Sequence, residues 1–402
     1  MRNIERLQNN VRRTLLLGFF QVFLVIMPIA VPFFQSKGLS MQEVFSLQAL
    51  FAMVVLLAEV PSGYVADLIG RKQTLVAGAL FGGIGHTLLL NADGFWTLAM
   101  FEAALGISHS LISGADLALL YDTESALERD EEAQRQVVGR LYSMRSFSEA
   151  MAGLACTFVL LWWTMDGAVY LQVLVGWVPL VISVTLIEPP GQRLVTDSHS
   201  ENMLRIVKAL LFDSHILRLV FAALCVWSLT TFYAVWLIQK LWEQQGIGLE
   251  HFGYLWAGLT LVATLAGRWA HKVEDALGAS GLLLLIGLTP ALGYVGLDSF
   301  GIVGGLLAST TFFFARGCGL VILRDALNRR VPSEFRATAN SLASFGFRGA
   351  FVLTGPIVGY VFDLWGMSTT LMLLAGSTLV IFVALIVPLI FAARAQQPAV
   401  AN

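Results

Sequence analysis

The sequence predicts an all-α membrane protein, with twelve transmembrane helices in two pseudo-symmetric six-helix bundles. Three observations carry this. Of 402 residues, 57% are hydrophobic and only 13% are charged, about half the charged share of a soluble domain, so too few charges remain to cover a water-facing surface. Apolar runs long enough to cross about 30 Å of hydrocarbon recur along the whole chain. Basic residues crowd alternate loops, as they do when those loops share the cytoplasmic side.

The runs lie at 14–35, 42–62, 73–91, 95–121, 138–162, 168–187, 215–239, 250–270, 278–296, 299–324, 338–362 and 368–393, numbered below as spans 1 to 12. They do not alternate apolar with polar, so they fit helices rather than barrel strands. Arg12 and Arg13 precede the first run as in an export signal. That run, Thr14 to Phe34, exceeds the roughly 7–15 residues of a signal core and lacks a small-x-small cleavage site, so it is read as a retained span.

Loop charge gives the sidedness. Arg2, Arg6, Arg12 and Arg13 precede span 1; Arg71 and Lys72 follow span 2; Arg129, Arg135 and Arg140 follow span 4. Arg193, Arg205, Lys208 and Arg218 follow span 6; Arg268 and Lys272 follow span 8; Arg324, Arg329, Arg330 and Arg336 surround the turn after span 10. The opposite side has only Lys37 and Lys240, and four of its turns carry one Asp each: Asp93, Asp166, Asp298 and Asp363. Both termini are therefore expected in the cytoplasm.

Residues 188–214 form the longest polar stretch and read as a linker between bundles 1–187 and 215–402. Internal repetition supports that division. Gly114-x-x-Leu117-x-x-Leu120-x-Asp122 recurs as Gly317-x-x-Leu320-x-x-Leu323-x-Asp325, and 317 − 114 gives an offset of 203. Leu141-x-Ser143 recurs as Leu342-x-Ser344 with an offset of 342 − 141, or 201. Two similar halves joined by a linker suit alternating access, in which one bundle rocks against the other.

The strongest local signal lies between spans 2 and 3: Glu59-Val-Pro-Ser-Gly63-Tyr-Val-Ala-Asp67-Leu-Ile-Gly70-Arg71-Lys72. It resembles the signature loop of the major facilitator superfamily, G-x-x-x-D-x-x-G-[RK]-[RK], and the twelve-span layout extends the resemblance to the whole chain. The resemblance implies a solute transporter of that fold. It also implies that Gly63, Asp67, Gly70, Arg71 and Lys72 form a conformational latch, with Asp67 meeting the start of span 11 and Arg71 meeting Asp122 at the inner end of span 4. Independently, Gly63 is expected to let span 2 pack closely, and Gly70 to permit a tight turn. Ser113-Gly114-Ala115-Asp116 to Tyr121-Asp122, and Asn328 to Thr338, resemble a bacterial subgroup that includes drug and metabolite exporters, which tilts the expected direction to efflux. The exporters' Gly-Pro pair in span 5 is absent: Gly153-Leu154-Ala155-Cys156 stands there, and Gly355-Pro356 lies in span 11 instead. After span 8 the chain reads Gly267-x-x-x-His271 and lacks the Asp of a second signature.

Ionisable groups inside spans are costly and mark functional candidates. Glu102, Gly106, His109, Ser113 and Asp116 fall on one helical face of span 4. Span 5 adds Arg145 and Glu149, one turn apart. Depth along the helix pairs Asp116 with Arg145 and His109 with Glu149. Asp116, Glu149, His109 and Glu102 are the proton-coupling candidates. Arg145, Arg316 and Arg348 are the substrate-binding candidates; an arginine suits a planar carboxylate or phosphate, so an anionic or zwitterionic solute is expected. An acidic wall in the first half would face a basic one in the second. Trp227, Tyr233, Trp236 and the run Phe312 to Phe314 are read as packing and interface belt rather than an aromatic substrate box.

Other classes find little support. No G-x-x-x-x-G-K-[ST] loop suggests ATP, and no H-E-x-x-H suggests an intramembrane metalloenzyme. Cys156, Cys225 and Cys318 are too scattered for a disulfide framework or a metal site. The net charge of −2 gives no reason to expect nucleic acid. The expected partners are a small-molecule substrate, protons and membrane lipid, with no enzyme activity, no cofactor and a monomeric state. A siderophore or other metabolite importer, a lipid-type transporter and a passive channel stand as alternatives.

Overall fold

The computed structural model describes residues 2–189, 214–332 and 335–395, and every regular element among them is helical. Nine helical stretches are long and apolar enough to cross a membrane. Two of them, Leu249–Ser299 and Thr338–Ala395, run 51 and 58 residues, where one crossing needs about 20. Gly278 and Gly366, at φ 72° and 76°, break them; a residue with a Cβ resists that conformation. The layout agrees with twelve spans. The linker, apart from its ends, lies outside the described residues, as do Ser333 and Glu334.

Span 1 departs from expectation. Instead of one helix, Arg2–Gln21 gives way to an unwound stretch at 22–26, a short 3-10 turn Met27–Ile29 and the helix Ala30–Ser36. Pro28 and Pro32 each remove an N–H from the helical ladder. Freed backbone groups inside a membrane need partners, and side chains of other spans supply them. Ser148 Oγ donates to the Phe19 carbonyl at 2.6 Å, and the Ile26 N–H donates to Gln172 Oε1 at 3.4 Å.

The chain forms two compact units, Met1–Val195 with Ile247–Gly258, and Thr196–Gly246 with Leu259–Asn402. In the first, Leu17, Ala66, Leu75, Ile112, Leu119 and Leu186 make a buried core. Lipid offers no hydrophobic drive for helices to associate, so close backbone approach matters more. Gly78, Gly82 and Gly85 of span 3 provide it against Ile112, Ser108 and Ala104 of span 4. Residues 247–258 join this unit where Gly153 and Gly253 meet backbone to backbone and Tyr254 N–H donates to Thr157 Oγ1 at 2.9 Å. The second unit packs around Trp227, Ile286, Cys318 and Leu323, and Gly319 lets the Trp227 ring lie against its backbone. Trp227, Tyr233 and Trp236 are buried there, as packing residues are.

Candidate functional site

Span 2 ends and span 3 begins at Gly70, whose φ of 100° makes the corner. The corner aims the first N–H groups of span 3 at one carboxylate. Glu188, at the end of span 6, accepts from Arg71 N–H at 2.8 Å and Lys72 N–H at 2.7 Å. An anion at a helix N-terminus is favourable. Arg71 Nη1 bonds Asp67 Oδ1 at 2.5 Å, and its Nε lies 3.8 Å from Asp122 Oδ2. Arg71 therefore meets three carboxylates, Asp67 and Asp122 through its guanidinium and Glu188 through its backbone N–H, from the ends of spans 2, 4 and 6. The close packing expected of Gly63 is not found. No described atom lies within 4 Å of where its Cβ would stand. Ser62 and Ala66, one turn apart, carry the buried side of span 2, while Gly63 and Asp67 share the exposed one.

Inside the membrane, Asp116 and Arg145 form an ion pair. Asp116 is 1% exposed. Its other oxygen accepts from Leu117 N–H at 2.7 Å, and Arg145 Nη2 also donates to Gln21 Oε1 of span 1 at 3.2 Å. The expected single face of span 4 is broken. The helix Phe95–Ile112 ends at Ser113, Gly114 takes φ 89°, and a new helix starts at Ala115. The break gives Asp116 a helix N-terminus of its own, which stabilises its anion. Outward of the break, the face turns to span 2. Gly106 packs on Val54 and the Phe51 carbonyl, and His109 meets the Phe51 ring edge-on at 5.9 Å. Glu102 is buried there, accepting from Gln48 Nε2 at 2.6 Å; it lines no open wall. Glu149 stands exposed, one turn from Arg145.

In the second unit, Arg316 holds its guanidinium 6.0 Å over the Phe232 ring. Phe347 and Phe351 meet Phe232 edge-on at 5.4 and 4.8 Å. Arg348, next to Phe347, is partly buried. No group of three or more His, Cys, Asp or Glu able to hold a metal ion occurs among the described residues.

The sequence profile of the Major Facilitator Superfamily matches residues 14–328. The chain belongs to the major facilitator superfamily. Solved facilitator structures share its fold. The nucleoside transporter NupG superposes with a TM-score of 0.77 at 12% identity, covering 95% of this chain and 99% of that one. A bacterial homologue of the human lysosomal transporter Spinster gives 0.77 at 13%, covering 97% of each chain. A D-xylose–proton symporter gives 0.68 at 14%, covering 92% and 96%. No curated protein matches the sequence.

Two features of this facilitator escaped the sequence reading. Glu188 fell in a stretch read only as linker, although an acid just past a span can cap a neighbouring helix. The break in span 4 had a readable signal: Ser113-Gly114 followed by Asp116 resembles a helix start, with a flexible residue at the cap and an acid in the first turn.

Proposed function

We propose that this facilitator is a secondary active transporter that moves a small organic solute across the cytoplasmic membrane by alternating access, coupled to protons, with both termini inside. It acts as a monomer, and efflux is the preferred direction. The observation that carries the coupling is the buried Asp116–Arg145 pair at a helix break within the membrane. A carboxylate held by one guanidinium and one helix N-terminus has two stable states. Ionised, it ties spans 4 and 5 to Gln21 of span 1. Protonated, it loses the ionic part of that tie and frees Arg145 to meet a solute or Glu149. His109 and Glu149 are the groups through which the proton reaches or leaves the pair. Asp67, Arg71 and Asp122 latch the inner side in one of the alternating states.

The substrate reading follows from the second unit. Arg316 on the Phe232 face, with Arg348 nearby, suits an anionic or zwitterionic solute better than a lipophilic cation. This observation also favours the second reading, proton-coupled import of such a metabolite. Among the structural neighbours, the D-xylose–proton symporter is one whose name pairs a solute with protons.

Purified protein in proteoliposomes tests the coupling. With a pH gradient imposed, wild type should accumulate a substrate found by screening. Asp116→Asn should still exchange labelled for unlabelled substrate but lose accumulation. Undiminished accumulation in Asp116→Asn would place the coupling acid elsewhere.

A further inference from the structure

Glu102 differs from Asp116 in its surroundings. It is 4% exposed, and its hydrogen-bond partner is neutral: Gln48 of span 2, whose Nε2 donates to Oε1 at 2.6 Å. Glu102 enters no ion pair among the described residues, while Asp116 faces Arg145. It lies seven residues from Phe95, about 10 Å into the helix at 1.5 Å per residue. Span 2 carries Glu43, which accepts from the Ser40 N–H at the start of its own helix, and Glu59 towards the other end; spans 3 and 4 add histidines. His86 of span 3 meets Phe101 at 6.1 Å, and His109 of span 4 meets Phe51 of span 2 at 5.9 Å. The same seam of spans 2 and 4 closes further inward through Gly106 on Val54 and Ser110 Oγ 3.5 Å from the Val55 carbonyl.

An ionised carboxylate buried against an amide alone would be strongly destabilising. A carboxylic acid is tolerated there, because one oxygen accepts from the amide and the O–H can donate. We infer that Glu102 is a neutral, hydrogen-bonded tie between spans 2 and 4, a positioning residue and not the acid that trades the coupling proton. The inference rests on the proposal above that Asp116 does the trading. It explains why one span carries two buried carboxyls: Glu102 holds span 4 rigid on span 2, and Asp116, beyond the break at Gly114, remains free to switch.

The test compares Glu102→Gln with Asp116→Asn in proteoliposomes and follows the carboxyl bands by infrared spectroscopy. Glu102→Gln keeps size and hydrogen bonding, so accumulation should stay within about twofold of wild type and keep its pH profile. Glu102→Ala should lower thermal stability, and the exchange Gln48→Glu/Glu102→Gln should restore it. A band from a protonated carboxyl should persist in wild type across the working pH range and vanish in Glu102→Gln. Loss of accumulation with exchange retained in Glu102→Gln overturns the inference, and so does a wild-type band that titrates with the gradient. If Glu102→Gln fails to insert, the wild-type band decides alone. If Asp116→Asn accumulates normally while the Glu102 band persists, the coupling proposal fails and the tie stands.

Discussion

Gly114 and Gly317 occupy the same place in the repeated motif. Gly114 sits at φ 89° and separates two helices, whereas Gly317 lies inside the unbroken helix Gly301–Arg330 with its Cα against the Ala263 carbonyl. Two residues on, the first unit has Asp116, buried and paired with Arg145. The second has Gly319, which makes room for Trp227. At the inner end, Asp122 reaches across to Arg71, but Asp325 pairs along its own helix with Arg329 at 2.7 Å. The two copies of the motif differ in structure: one is a broken, charged element and the other an unbroken packing element. The proposed alternating access needs both: a place where charge can change and a frame against which that change does work.

The largest expected effect is on the buried Asp116–Arg145 pair of the first unit. Asp116→Ala leaves Arg145 without its carboxylate and should cost roughly 3–5 kcal/mol of stability in detergent. Arg145→Ala should cost a similar amount. The double variant should be far less damaged than the sum, because no buried charge is left alone. Unfolding curves that simply add would show that the pair is not a unit, and the contrast between the two spans would lose its basis.

This pair also marks how far the sequence was readable. Span positions follow from hydrophobic run length, because the thickness of the lipid imposes it along the chain. Asp116 and Arg145 could be matched by depth, since helical rise is constant. Direction around the axis was harder. Glu102 and Asp116 looked like one face only while span 4 was taken as continuous; the break at Gly114 resets the helical phase. Span 1 hid its unwound stretch for the same reason: Val22 to Ile26 are apolar and fit a helix, and the bonds from Ser148 and Gln172 that support the break come from residues more than a hundred positions away.

Substitution at the two motif glycines sharpens the comparison at a smaller scale. Gly114→Ala should cost about 1–2 kcal/mol through its left-handed backbone, since no described atom would meet the new methyl group. Gly114→Asn should recover much of that, because asparagine tolerates this conformation. Gly317→Ala should cost about 1–3 kcal/mol by pushing on the Ala263 carbonyl, and Gly317→Asn should be worse. Thermal unfolding of the four variants separates the causes. Asparagine rescuing both sites, or neither, would break the distinction.

Glu188 tests whether the signature loop depends on its cap. Glu188→Gln keeps an acceptor but removes the charge from the first N–H groups of span 3, so the expected loss is about 1 kcal/mol. High salt should reduce the difference from wild type. A loss as large as that of Asp116→Ala would mean that Glu188 supports more than one helix end.

The smallest effect should come from Asp325. Its partner Arg329 is four residues along the same helix and 67% exposed, and such pairs contribute no more than about 0.5 kcal/mol. Asp325→Asn should therefore leave stability and transport near wild type. Asp122→Asn should be nearly as mild for stability, because its contact with Arg71 is long, at 3.8 Å, and partly exposed. Transport should separate the two. Arg71 is shared between Asp67 and Asp122, so neutralising Asp122 changes a contact between spans 2, 3 and 4 that the proposed latch uses. A local pair within one helix moves as a body with that helix and cannot report the position of another. Cysteine labelling from the inner side should rise in Asp122→Asn and stay unchanged in Asp325→Asn. Equal labelling in both variants would mean that the two aspartates of the repeat do the same job, and that the first unit's cross-span contact is not a latch.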